Sequence, residues 1–143
     1  MNKIEILGAT RQRKFERIAN EISKVYNLHT GKNERFSIEF PEDLFAIYPN
    51  GVKGGIIVTK IYGFKESATI MVAGFKEKDR GKGYLKACVN AGSERLAKKG
   101  LNLVSVTLNP NDDTKVWERL GFTNKVTVGG MLHLSKVPRS EFR

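Results

Sequence analysis

Acidic residues are scarce in this chain: 15 Asp and Glu stand against 25 Lys and Arg, a net charge of +10 over 143 residues. Such an excess favours anionic partners, nucleic acid or an acidic protein surface among them, without choosing between them. Cysteine is almost absent, and Cys88, standing alone, has no partner for an internal disulfide. The two histidines, His29 and His133, lie about a hundred residues apart beside no cysteine cluster, so the sequence gives a metal site no support. No apolar run approaches the roughly 18 residues of a membrane span. The opening Met1-Asn2-Lys3-Ile4-Glu5 carries no signal-peptide hydrophobic stretch. With no repeat and no linker, the expectation is one cytoplasmic domain over residues 1–143, 40% hydrophobic and large enough for a real core.

What is present is organised around Lys78-Asp79-Arg80-Gly81-Lys82-Gly83-Tyr84-Leu85. This glycine-rich turn follows a buried-strand pattern, Ala68 to Phe75, and precedes a helix pattern in which Leu85, Cys88, Val89, Gly92 and Leu96 recur at spacings of three and four. A helix beginning directly after glycines presents unpaired N–H groups and the positive end of its dipole, which is anion-binding architecture suited to a pyrophosphate. The Walker loop is excluded, because Lys82 is followed by Gly83 rather than Ser or Thr. The dinucleotide fingerprint is excluded too, because the third position after Gly83 is Lys86 and the preceding strand is internal.

Upstream, Lys3 to Leu7 alternates as a short strand and Gly8-Ala9-Thr10 turns the chain. Phe15, Ile18, Ala19, Ile22 and Val25 then form one helical stripe, with Thr10 as its expected N-cap. Arg11, Arg13, Lys14 and Arg17 crowd the start of this helix, where the dipole disfavours cations, and they read either as a surface for an acidic partner or as a solvated face. His29 to Asn33 reads as a polar loop and Phe36 to Phe40 as a half-buried strand. Leu44 to Tyr48 and Gly55 to Tyr62 read as a hairpin across Pro49-Asn50-Gly51.

Downstream, a cap at Gly100 precedes the strand Leu103 to Leu108. A short helix follows, capped by Asp112 or Asp113, facing inward through Val116, Trp117 and Leu120 and closed by Gly121. Phe122 to Val128 and Met131 to Val137 read as a hairpin joined by Gly129-Gly130, a candidate edge for pairing with another chain.

Two of these stretches carry a family resemblance. Arg80-Gly81-Lys82-Gly83-Tyr84-Leu85 resembles the acyl-CoA loop of the GCN5-related N-acetyltransferases, and Val116 to Phe122 resembles the helix end of that family, at a matching distance. The resemblance covers about residues 44–136 and implies an α/β domain with a mixed, mostly antiparallel central sheet flanked by helices. It implies acetyl-CoA as acyl donor and a primary amine as acceptor. Backbone groups of Met71, Val72, Ala73, Gly74 and Phe75 would pair with pantetheine, and amides of Arg80, Gly81, Lys82, Gly83 and Tyr84 would hold the pyrophosphate. Asn109 matches an asparagine that the family often carries near the splayed strands, and Glu66 stands close to where some members place a catalytic glutamate.

Two positions depart from the family pattern. Leu85 replaces a glycine or alanine, narrowing the approach of phosphates. Trp117 replaces a tyrosine whose phenol protonates the leaving sulfur, and an indole N–H is no acid of useful pKa. Either the thiolate leaves unassisted or with the help of water, or another group such as Tyr48 or Tyr62 supplies that proton, or acyl transfer is lost. His133, between two leucines, reads as a structural or surface histidine, and Cys88 as core. The resemblance would build the acceptor site from Arg11, Arg13, Lys14, Arg17, the 29–35 loop and Thr127 to Leu132, mainly positive, which points to an anionic acceptor or carrier. The competing expectation is a binding protein on the same scaffold, its basic surface meeting nucleic acid or an acidic protein.

Overall fold

A computed structural model of the chain describes residues 2–30, 44–60, 67–108 and 113–136, with the backbone alone for 27–30. The elements are β1 (Ile4–Gly8), α1 (Gln12–Thr30), β2 (Leu44–Pro49), β3 (Gly54–Lys60), β4 (Ser67–Phe75), a 3₁₀ turn (Glu77–Asp79), α2 (Tyr84–Ala97), β5 (Asn102–Leu108), α3 (Lys115–Arg119), β6 (Asn124–Val128) and β7 (Met131–Ser135). Among the described residues the strands form one sheet in the order β1-β2-β3-β4-β5-β7-β6. Neighbours are antiparallel except β4 and β5, which are parallel. The expected mixed sheet flanked by helices is what forms. The expected strand at 36–40 lies outside the described residues.

Helix α1 buries Phe15, Ala19, Ile22, Val25 and Tyr26. It differs from the sequence expectation at both ends. The Arg11 carbonyl accepts the Phe15 N–H at 2.9 Å, and the Arg11 N–H bonds to the Gly8 carbonyl, so Thr10 belongs to the turn before the helix and does not cap it. At the other end the helix runs through His29 and Thr30, which the sequence reads as loop. No glycine or proline interrupts residues 11–30, and the stripe continues through Tyr26, so nothing stops the helix earlier.

Two apolar cores lie on the two faces of the sheet. On one face, Leu7, Phe15, Ala19, Ile22, Tyr26, Ala46, Tyr48, Ile57 and Val72 gather under α1. On the other, Ile47, Ile56, Val58, Ile70, Val89, Leu96, Val106, Phe122 and Leu134 gather under α2. The strands reach both by breaking their alternation. Ile57 pairs Val72 but Val58 pairs Ile70, so Met71 is an extra residue on β4. Ala68 pairs Leu103 but Thr69 pairs Ser105, so Val104 is an extra residue on β5. Each bulge inverts the side-chain pattern beyond it. Ala68 and Ile70 therefore join the α2 core, whereas two residues further on Val72 joins the α1 core, and Ala73 and Phe75 point to α2.

Both later helices end as the sequence predicts. Leu101 N–H donates back to the Leu96 carbonyl at 2.9 Å, and Phe122 N–H to the Trp117 carbonyl at 3.1 Å. At the start of α3 the expectation of Asp112 or Asp113 as cap is corrected: the Thr114 carbonyl accepts the Glu118 N–H at 3.0 Å, so Thr114 holds the N-cap position, without a side-chain cap bond. Asp113 stands one residue earlier and its Oδ1 accepts the Lys115 N–H at 3.0 Å, while Asp112 lies outside the described residues. The Gly129-Gly130 turn joins β6 to β7 as expected, and β6 is left at the sheet edge.

Candidate functional site

The parallel pairing of β4 with β5 ends at Ile70 and Val106. Beyond that pair β4 continues to Phe75, held on its other side by β3 as far as Gly54. Among the described residues, the backbone groups that β4 turns toward β5 past Ile70 therefore have no strand partner, and a gap opens between the two strands. Met71, the bulged residue, is 41% exposed at its mouth. A cleft of about 720 Å³, within the usual size range of ligand pockets, fills the gap. It is walled by Met71 to Phe75 on β4, Val106 to Leu108 on β5, and Val116, Trp117 and Leu120 from α3.

At one end of this cleft stands the glycine-rich turn. Gly83 occupies the N-cap position of α2 in the left-handed region (φ 80), with no side-chain cap. The first intrahelical bond is Ala87 N–H to the Gly83 carbonyl at 3.0 Å, so the N–H groups of Tyr84, Leu85 and Lys86 have no intrahelical acceptor. Gly81 is left-handed as well (φ 78) and has open space where a side chain would stand. Two left-handed residues in one turn are what turn these amides outward, and any residue with a Cβ is strained there. The result is a concave donor surface at the positive end of a 14-residue helix.

Side chains hold the turn in place. Arg80 Nε donates to the Phe75 carbonyl at 3.1 Å, tying the loop back to the end of β4. Lys82 pairs with Asp79 at 3.8 Å. Tyr84 stacks on Phe75 with ring centroids 6.0 Å apart. Leu85 packs half-buried against the α2 core, so its side chain joins the cleft wall.

Several residues singled out in the sequence therefore meet in one place: Val72, Ala73, Gly74, Phe75, Arg80, Gly81, Gly83, Tyr84 and Trp117 all line this cleft. Lys82 stands in the same turn. Trp117 is nearly fully buried, edge-on to Phe122. Val116 departs from expectation: it is 38% exposed and faces the cleft rather than the interior. Glu66, Asn109 and Tyr62 lie outside the described residues. Met71, expected with Val72 to Phe75, lines it too; Tyr26 and Thr107 also line the cleft and were missed, because only the packing of α1 and the Val104 bulge bring them there.

The basic cluster at the start of α1 is elsewhere. Arg11 and Lys14 line a second cleft of about 570 Å³ at the β1–β2 edge, with Lys99 from the end of α2 and with Glu5 and Tyr48. Burial pushes the Tyr48 phenol up from 10.0; Glu5 adds to this and Arg17 opposes it. Among the described side chains of α1, the one that touches the main cleft is Tyr26, some 15 residues and about 22 Å further along the helix. The expected acceptor cluster of Arg11 and Lys14 is thus not brought to the strand gap.

No family model matches the chain, and no curated protein matches it. Solved structures do. The fold is similar to that of Tetrahymena GCN5, with a TM-score of 0.67 at 11% identity over 95% of this chain and 97% of that one. It is similar to an aminoglycoside acetyltransferase, meta-AAC0020, from an uncultured soil metagenomic sample, in complex with sisomicin: TM-score 0.60, 20% identity, 88% of this chain and 91% of that one. It is also similar to the PaiA N-acetyltransferase of Thermoplasma acidophilum in complex with coenzyme A: TM-score 0.57, 16% identity, 94% of this chain and 98% of that one.

Proposed function

Since the chain has the fold of the GCN5-related N-acetyltransferases, we propose that it transfers an acetyl or similar acyl group from acyl-CoA to a primary amine. One observation carries the reading: the gap that opens beyond Ile70 and Val106 leads directly to the unpaired N–H groups of α2 behind two left-handed glycines. An extended chain ending in a pyrophosphate matches that layout, with unpaired strand edge for the chain and helix N-terminus for the phosphates.

In this reading the outward backbone groups of Met71 to Phe75 pair with the pantetheine arm. The amides from Arg80 to Tyr84 bind the pyrophosphate, Lys82 adds positive charge, and Arg80 fixes the turn through the Phe75 carbonyl. An N–H of β4 beside the Met71 bulge polarises the thioester carbonyl as negative charge develops on its oxygen. Trp117 closes the wall of the cleft but supplies no proton to the leaving thiolate. The family resemblance gives the acceptor's proton to Glu66.

Calorimetric titration of acetyl-CoA into the wild type and into Gly83→Asp tests the reading. Micromolar binding that disappears in a folded mutant supports it, because the substitution places strain and negative charge at the turn. Absence of binding by the wild type overturns it.

A second reading draws on the cleft lined by Arg11, Lys14 and Lys99 together with the net charge of +10. There the basic surface meets an acidic protein or a nucleic acid, and a steep loss of affinity with salt is the expected signature.

A further inference from the structure

We infer that His133 is the base that takes the proton of the attacking amine, held in the required tautomer by a chain of hydroxyls that runs from β4 through β5 to β7 beside the strand gap; this rests on the acyl-transfer reading above.

The residues concerned share one face of the sheet. Leu103, Val106, Leu108 and Leu134 belong to the α2 core, so alternation beyond the Val104 bulge puts Ser105, Thr107 and His133 on the opposite, α1 face. Thr107 follows Val106, the last β5 residue paired with β4, and lines the cleft. His133 stands directly opposite Thr107 in the pairing of β5 with β7. It is thus one strand away from the gap, half-buried, on a strand that the sheet order inserts between β5 and β6.

Four contacts fix where the protons are. Thr69 Oγ1 lies 3.1 Å from the Ser105 carbonyl oxygen, which can only accept, so the Thr69 proton goes there. Ser105 Oγ then donates to Thr69 Oγ1 at 2.9 Å. Thr107 Oγ1, 3.3 Å from Thr69 Oγ1, must donate as well, because Thr69 has no second proton. Its single proton so committed, Thr107 can only accept from His133, whose Nδ1 is 3.3 Å away. The arrangement that satisfies all four contacts places a hydrogen on Nδ1 and leaves the Nε2 lone pair bare. The strand neighbours that share this face with His133 are uncharged: Ser105 and Thr107 on β5, Asn124 and Val126 on β6, Met131 and Ser135 on its own strand.

The chemistry balances without another reagent. The acceptor ammonium gives one proton to Nε2, becoming an amine and leaving an imidazolium. The amine nitrogen attacks the thioester carbon, the C–N bond forms and the C–S bond breaks. A second proton passes from that nitrogen to the departing thiolate, and the imidazolium releases its proton to solvent. Products are the amide, free CoA and one proton. This assignment replaces Glu66 as the acceptor's base.

The test has two readouts. The nitrogen-15 spectrum of neutral His133 in the free protein should show the Nδ1–H tautomer, and Thr107→Val, which removes the acceptor but keeps the shape, should shift the population toward Nε2–H. With acetyl-CoA and two amine probes, glycinamide and a lysine-containing peptide, His133→Gln should lower kcat/KM by about 100-fold or more and abolish the ascending limb of its pH profile. Acetyl-CoA affinity should stay unchanged. An Nε2–H tautomer in the wild type overturns the inference, as does a limb that survives in His133→Gln but vanishes in Glu66→Gln. The tautomer is read without turnover, so a failure of the acyl-transfer reading shows itself separately, as a wild type that binds no acetyl-CoA.

Discussion

A Cβ placed on Gly74 would lie 2.8 Å from the backbone nitrogen of Tyr26 and 3.1 Å from the carbonyl oxygen of Ile22. The backbone of α1 rests directly on β4 at the floor of the cleft, and only the missing side chain permits it. Gly74→Ala must therefore lift the helix or bend the strand. Backbone on both sides of the clash leaves no flexible side chain to give way, and overpacking of this kind costs about 1–3 kcal/mol. Urea unfolding should show a lower midpoint with an unchanged slope, and acetyl-CoA should bind more weakly.

The bond from Arg80 Nε to the Phe75 carbonyl predicts a split between binding and stability. Arg80 is exposed, so its loss should change the unfolding free energy by less than about 1 kcal/mol. It should weaken acetyl-CoA binding about tenfold, because the turn is no longer tied to the strand that shares its ligand. Arg80→Lys keeps the charge without the planar Nε donor and should restore little of the affinity. Calorimetry on Arg80→Ala and Arg80→Lys distinguishes fixing of the turn from simple charge.

Burial pushes the Cys88 thiol up to about 12 from an ordinary 9.0. A group whose folded pKa is raised contributes stability below the unfolded value and loses it as pH climbs toward the folded one. Between pH 9 and about 12 the thiol should cost the fold about 1.4 kcal/mol per pH unit. Alkaline unfolding followed by circular dichroism should move to higher pH in Cys88→Ala, once its lower stability at neutral pH is subtracted. At pH 8 a thiol reagent should label the native wild type only at the rate of unfolding.

Ser93 Oγ, in α2, is buried and has no hydrogen-bond partner among the described residues. A buried hydroxyl left unsatisfied costs about 1–3 kcal/mol, and alanine has the higher helix propensity. Ser93→Ala should therefore stabilise the chain by about 1 kcal/mol and raise its melting temperature by several degrees, with acetyl-CoA binding unaffected.

The turn and the helices were legible in the sequence because their signals are local. Gly81 and Gly83, the stripe from Phe15 to Val25, Asp113 before α3 and the Gly129-Gly130 pair each act within a few residues of where they stand. The two bulges were not legible. Met71 and Val104 look like ordinary members of apolar strands, and only the competing demands of the two cores, one on each face, make them extra residues. That is why Val116 was assigned to the interior and Thr107 was passed over. The chain Thr69, Ser105, Thr107, His133 is hidden for a related reason: it runs across three strands whose adjacency the sequence order conceals. His133 between two leucines carries no mark of it. The destination of Arg11 and Lys14 depended on which end of α1 crosses β4, a question of tertiary packing alone.

The hairpin that places β7 against β5 and leaves β6 outside also sets an order of assembly. While the chain is being made, β5 has its outer edge unpaired from the moment residue 108 emerges until residue 135 does. The intervening β6 cannot fill that edge, since its pairing is with β7. A two-residue hairpin closes within microseconds once both strands are free, so β6 and β7 should arrive at β5 as a unit, once residue 135 is free. Until then the nascent chain holds its glycine turn without the strand that carries His133, and if the acyl-transfer proposal holds, that is a half-site that would grip a nucleotide tail before it could turn over a substrate.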